Sequence, residues 1–247
     1  MTTFQSILLG IVQGLTEFIP VSSSAHLVLV PFFLGWHIPP DLSFIFDVLV
    51  QFATLGAVLV YYAKDLWHIL LSFIKVLQSR KVENNPDFNL LIALIIATLP
   101  IVILGIPIKK YVADSFNNIP FVATALLITA LFLYLAEKIA AHKTQHDSVT
   151  RWDALVVGLF QVLAAFPGIS RSGATISGGM LRKLNRSSAT RFAFLLSIPA
   201  LTGAGLVSLL DLLKMPNWVQ TLGVIFPGFV VAFGVGLISI HWLVKHV

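Results

Sequence analysis

The sequence predicts an all-α polytopic membrane protein, arranged as an inverted-topology repeat with two re-entrant helical hairpins meeting near the bilayer midplane. Three observations predict it: five long apolar runs, two further apolar stretches broken at matching places, and basic residues gathered in alternate loops. Composition sets the solvent. Hydrophobic residues make up 57% of the chain, charged residues only 11%, and mean hydropathy is +0.91, outside the range of soluble domains. A formal charge of +5 would fit a nucleic-acid binder. The basic residues, however, sit in short loops between apolar runs, which marks membrane orientation and leaves no nucleic-acid partner. With no cysteine, disulfides, thiolate catalysis and thiolate metal sites are excluded. The N-terminus has no basic n-region and no small-residue cleavage site, so no removable signal peptide is expected.

The elements follow in order. Residues 3–35 are apolar but interrupted by Pro20 and a run of serines, and read as two half-helices meeting at a polar turn. Runs 43–63, 88–108, 119–141, 190–213 and 221–244 each approach the ~20 residues that cross the hydrocarbon as a helix. Residues 65–79 (DLWHILLSFIKVLQS) are shorter and carry Lys75, so an amphipathic helix lying at the interface is expected there. Residues 152–185 are broken by Pro, Gly and Ser, as 3–35 are, and read as a second hairpin.

The two broken regions resemble each other. "GIVQGLTEFIPVSSSAHL" from Gly10 aligns without a gap to "GLFQVLAAFPGISRSGAT" from Gly158, matching Gln13 to Gln161, Phe18 to Phe166, Ser22 to Ser170 and Ser24 to Ser172. In the same register Thr54 falls opposite Thr202. Interrupted helices at corresponding places of a repeat mark a pseudo-symmetric membrane protein whose site lies at the repeat interface. Residues 1–247 thus form one membrane domain, with repeats at 1–141 and 152–247.

Charge orients it. If the first hairpin enters from one side and three runs then cross, the second hairpin enters from the other. That side carries Lys64, Lys75, Arg80, Lys81, Lys138, Lys143, Arg151, Arg182, Lys183, Arg186, Arg191 and Lys245, against only Lys109, Lys110 and Lys214 opposite. The basic side is cytoplasmic by the positive-inside rule, so the first hairpin opens outward and Arg171 meets it from within.

Chemistry concentrates in the hairpins. Gln13 and Glu17 share one face of a helix, and a carboxylate inside a membrane segment marks function by default. Pro20 is expected to stop that half-helix. Ser22, Ser23 and Ser24 suit the cap and first turn of the next, where free N–H groups bind anions, and His26 follows within a turn. In "PGISRSGAT", Gly168 and Gly173 allow close backbone approach, Ser170, Ser172 and Thr175 offer hydroxyls, and Arg171 offers a planar fork that matches phosphate. Together these supply an oxyanion cradle, a positive clamp, a nucleophile or base, and a carboxylate able to hold a hard cation. Those are the parts of a phosphoryl-transfer site.

The two motifs resemble the signatures [E/Q]xxxE and PGxSRSxxT of the undecaprenyl-diphosphate phosphatase family of bacitracin-resistance type. The likeness extends to "FDVLVQFATLGAV" and "FPGFVVAFGVGLISI", and so over nearly the whole chain. It implies a metal-dependent hydrolase, using Mg²⁺ or Ca²⁺, that removes one phosphate from undecaprenyl diphosphate and recycles the lipid carrier for peptidoglycan and envelope glycans. Carried over, Gln13 and Glu17 are the acidic motif and metal ligands. Glu17, Ser22, Ser23, His26 and Arg171 are catalytic, and Ser24, Ser170, Arg171, Ser172 and Thr175 bind phosphate. The expected partners are a polyprenyl diphosphate and membrane lipids, with a homodimer left open. The expected place is the bacterial plasma membrane, with the site open to the periplasm. Two departures are noted: Gln13 stands where Glu also occurs, leaving less negative charge for a cation, and the chain ends at "HWLVKHV" where family members usually continue into one more helix.

The alternative is a polyprenyl-phosphate transporter or flippase, since inverted repeats with broken helices are transporter architecture. Transport alone, however, gives a carboxylate, a histidine and an arginine no reason to converge on one phosphate. An intramembrane serine protease lacks the GxSxG context. Acid phosphatases acting on lipid phosphates need histidines that "SRSGATISGGML" does not have.

Overall fold

A computed structural model describes residues 1–79, 85–116, 118–141, 144–213 and 218–247, and these form helices joined by short turns. Five helices are long and apolar enough to cross a membrane, which makes the chain a polytopic all-α membrane protein. They are α3 (Pro40–Tyr61), α5 (Pro86–Ser115), α6 (Ile119–Ala140), α9 (Arg186–Leu213) and α10 (Trp218–His246). The broken regions are two pairs of shorter helices, α1 (Thr3–Thr16) with α2 (Ser23–Phe33) and α7 (Arg151–Leu163) with α8 (Arg171–Leu181). Residues 65–79 lie in α4 (Ala63–Ser79), which follows α3 after Tyr62 alone. It buries Ile69 and Ser72 and turns Trp67, Leu70, Leu71 and Phe73 outward.

Each short pair closes on itself. Thr2 and Gln5 form a capping box at the start of α1, and the Phe4 ring meets Trp36, just beyond α2, edge to face at 6.4 Å. Thr150 and Asp153 form the matching box at the start of α7. Arg182, just past α8, donates Nε–H to Asp153 Oδ1 at 2.9 Å. Both ends of each hairpin therefore lie together, and its turn projects away from them into the protein.

The hairpins are held by close backbone contact. α1 packs along α10 and α7 along α5. A Cβ added at Gly10 would stand 2.3 Å from the Gly228 carbonyl oxygen, and one at Gly158 would stand 2.4 Å from that of Ala97. These two glycines, aligned in the sequence, do the same work against different helices. Small residues permit such approach where apolar packing, rather than water exclusion, drives helix association. Ser6 adds a polar clasp, donating to Ile225 O at 3.3 Å and accepting from Gly228 N at 3.1 Å. The main core lies between α3, α5, α7, α9 and α10, where Phe18 and Phe194 pack edge to face at 5.4 Å.

One end of the molecule carries an ionic belt: Arg182 with Asp153, Arg186 with Glu137 and Arg191 with Asp65. These charges belong to the side read as cytoplasmic from sequence. Arg80, Lys81 and Lys143, counted on that side, and Lys214, counted on the opposite one, lie outside the described residues.

Two boundaries differ from expectation. α1 stops at Thr16, with Glu17 as its C-cap, four residues before Pro20; the chain turns through 17–21 and Pro20 lies inside that turn. A proline disfavours helix in the residue before it, so the helix ends ahead of the ring rather than at it. α5 continues past residue 108, through Pro107 and both lysines, to Ser115. Its hydrophobic run ends at the lysines, but nothing in the backbone requires the helix to end there.

Candidate active site

The turns of the two hairpins meet. Ser22, the N-cap of α2, accepts from Ala25 N through Oγ at 3.4 Å and takes φ 66°, a left-handed conformation rare for a serine. Ser170, the N-cap of α8, accepts from Gly173 N at 3.0 Å. Each cap leaves the first N–H groups of its helix without intrahelical partners, so the turns bring two positive helix ends to one region.

The second turn is anchored from α6. Thr129 donates to Gly168 O and accepts from Ser170 N, both at 3.0 Å. Gly168 has φ +97°, and a Cβ there would lie 2.5 Å from Val122 O, so only glycine lets this turn sit against α6.

Glu17 is the hub. Its Oε2 accepts from Gln13 Nε2 at 2.7 Å and from Ser23 Oγ at 2.6 Å, while Arg171 Nη2 donates to Oε1. Ser172 Oγ reaches the Glu17 carbonyl at 3.3 Å. Gln13, Glu17, Ser23 and Ser172 are buried and Arg171 largely so. One hydrogen-bonded network thus joins the acidic motif, the serine segment and the arginine motif.

The remaining expected residues lie around it. Ser22 and Ser24 bring their hydroxyls to 3.4 Å, and Ser170 and Ser172 to 3.1 Å. His26 Nδ1 is 2.8 Å from the Ser22 carbonyl oxygen. A carbonyl only accepts, so Nδ1 carries a proton, and in the neutral ring the acceptor is Nε2. Thr175 turns inward, donating to Arg171 O at 2.7 Å, and so braces the start of α8.

Three buried polar residues outside the motifs stand out. Thr129 gives no signal in sequence, being one hydroxyl in an apolar run. Gln161, the counterpart of Gln13, is buried with neither end of its amide hydrogen-bonded. Asp47 in α3 is buried with no partner for either carboxylate oxygen, and the Oε1 of Gln13 has none either. The rule that singled out Glu17, a carboxylate in an apolar span, applies equally to Asp47.

A polytopic helical protein with a carboxylate–guanidinium–hydroxyl cluster buried between two hairpin turns is the class that fold and site define. The family model described as "Bacitracin resistance protein BacA" matches residues 6–247, and the chain belongs to that family. It is 36% identical over 245 residues to an undecaprenyl-diphosphatase of Myxococcus xanthus (strain DK1622), covering 99% of this chain and 81% of that one. It is 42% identical over 248 residues to the undecaprenyl-diphosphatase of Corynebacterium striatum, covering 100% and 87%. To that of Alkaliphilus metalliredigens (strain QYMF) it is 38% identical over 252 residues, covering 100% and 91%.

Proposed function

We propose that this chain hydrolyses undecaprenyl diphosphate to undecaprenyl phosphate and inorganic phosphate, recycling the lipid carrier of envelope glycan synthesis. Family membership and the full-length likeness to undecaprenyl-diphosphatases support the reaction. The observation that carries the site is the bridge Ser23–Glu17–Arg171, which links a hydroxyl, a carboxylate and a guanidinium from both hairpins.

In this reading Arg171 exchanges Glu17 for the diphosphate, gripping it with a planar fork while the N-termini of α2 and α8 and the hydroxyls of Ser24, Ser170 and Ser172 take the remaining oxygens. Ser23, already donating toward Glu17, attacks the terminal phosphorus as its proton passes to that carboxylate, and undecaprenyl phosphate leaves. A water deprotonated by His26 Nε2 then attacks the phosphoserine, and as the P–O bond breaks the Ser23 oxygen takes back its proton from Glu17, releasing inorganic phosphate and restoring the hydroxyl. Ser22 holds the histidine through its carbonyl, and Thr175 braces Arg171.

A Mg²⁺ or Ca²⁺ ion fits the oxygen-rich face of the cluster, where the Gln13 Oε1 is buried without a partner. Gln13 and Glu17 would hold it, and bound there it supplies positive charge against the diphosphate.

The hairpins are read as re-entrant, entering from opposite sides as the two halves of an inverted repeat, with α4 at the interface. The ionic belt and the paired contacts of Gly10 and Gly158 support this. The site then opens to the outer face of a bacterial plasma membrane, where a polymerising glycan releases its diphosphate carrier. The test is phosphate release by purified protein from undecaprenyl diphosphate, with and without divalent cation, and in Arg171→Ala. Cation-independent release equal in wild type and variant would reject this site.

A further inference from the structure

Asp47 is the carboxylate that this mechanism leaves unused. It lies in the first half of α3, 3% exposed, with both oxygens lacking a hydrogen-bond partner. Phe46, Leu49 and Val50 beside it pack in one apolar cluster with Leu9 of α1 and Leu27 of α2, so this stretch of helix rests on the first hairpin. The Gln51 side chain, one turn along α3, faces the Asp47 carboxyl group but stands outside hydrogen-bonding geometry, and Glu17 is near enough for the two carboxylates to interact electrostatically. A buried ionisable group without partners is costly, and its retention calls for a ligand or a chemical role.

Charge identifies the role. Position 13 is a neutral glutamine, and the one carboxylate of the acidic motif, Glu17, is paired with Arg171. That set has no net negative charge to offer a dication. Hard cations take six or more oxygens and favour carboxylates. Asp47 supplies the missing charge and two uncommitted oxygens, and Gln13 Oε1 supplies another. A dication between Asp47 and Glu17 would also relieve the repulsion of two buried carboxylates. Resting on the reading of this site as a cation-dependent phosphatase, we propose that Asp47 is a ligand of the divalent cation, shared with Glu17 and Gln13.

The experiment is a titration of the full-length chain in detergent with Mn²⁺ alone, a hard cation whose binding is read by paramagnetic resonance. Asp47→Asn should weaken Mn²⁺ binding by ~10-fold or more. Its metal-free melting temperature should equal or exceed that of wild type, because a neutral amide replaces a partnerless carboxylate. Asp47→Glu, which keeps the charge, should hold Mn²⁺ within a few-fold of wild type, on the order of a ligand moved by one methylene. Adding Gln13→Glu to Asp47→Asn should recover most of the affinity, which a purely structural role for Asp47 would not produce. Unchanged Mn²⁺ affinity in Asp47→Asn, or no recovery with Gln13→Glu, overturns the proposal. Phosphate release from undecaprenyl diphosphate by the same wild-type preparation separates the two levels: a working hydrolase whose cation affinity ignores Asp47 defeats this assignment alone.

Discussion

Arg171 Nη2 and Glu17 Oε1 are joined in an ion pair between residues 154 apart in the chain, one in the first turn of α8 and the other at the C-cap of α1. Glu17 is 7% exposed, so the pair is largely withdrawn from solvent. A buried pair is weak evidence for stability, because desolvation offsets much of the attraction, and breaking it leaves an uncompensated charge. Its place between two hairpin turns, with Ser23 on the same carboxylate, supports the role proposed for it at the active site. The guanidinium that would grip a diphosphate is held in position by the carboxylate it would release.

Replacing Arg171 by lysine keeps the charge and loses the fork. Arg171→Lys should therefore remain well below wild-type activity, by ~10²–10³-fold in kcat, the range for loss of a transition-state charge contact. Steady-state phosphate release measures it, and near-wild-type turnover would remove Arg171 from the site.

Glu17→Gln separates two roles. Loss of the cation ligand should raise the Mg²⁺ or Ca²⁺ needed for the maximal rate, and loss of the acceptor for the Ser23 proton should keep that maximal rate below wild type even at saturating metal. A collapse at every metal concentration, with Mn²⁺ affinity unaltered, would make Glu17 a proton acceptor only.

Sidedness can be read with thiol chemistry, since the chain has no cysteine of its own. Cys introduced at Trp36, beside the open end of the first hairpin, should react with an impermeant maleimide in intact cells. Cys at Arg186, in the ionic belt, should react only after the membrane is opened. The reverse pattern would place the site opening in the cytoplasm.

The belt also has a pH signature. Burial pushes the Asp153 carboxyl up, but the Thr150 hydroxyl and N–H and the Arg182 guanidinium outweigh it and hold the group below its ordinary value of 3.8. A carboxylate depressed in the folded state contributes stability that is present above its unfolded pKa and lost as pH falls through the folded one. The melting temperature in detergent should therefore drop as pH falls below about 4. Asp153→Asn should lower it at neutral pH and flatten that acid limb. An unchanged limb would assign the acid loss to other carboxylates.

The paired glycines test the helix contacts. Gly10→Ala and Gly158→Ala each drive a methyl into a backbone carbonyl, at 2.3 and 2.4 Å. Overpacking of this kind costs about 1–3 kcal/mol, so both variants should melt well below wild type. A variant that melts like wild type would show that its helix pair can separate without penalty.

Much of this protein was determined locally. Apolar runs of membrane-spanning length, the broken stretches at 3–35 and 152–185, and the serine caps act through residues a few positions apart, so composition and periodicity reveal them. The alignment of Gly10 with Gly158 and the two motifs likewise needed no coordinates. The tertiary structure decided what meets what. Nothing in the spacing of Glu17 and Arg171 says that they pair, because that contact depends on how α1 seats on α10 and α7 on α5. Thr129 became the anchor of the second turn only because α6 passes beside Gly168. Asp47 reads in sequence as one acid in an apolar span. Its burial without a partner, near Glu17, depends on packing between α3 and the first hairpin, a long-range arrangement set by the whole fold rather than by its neighbours in the chain.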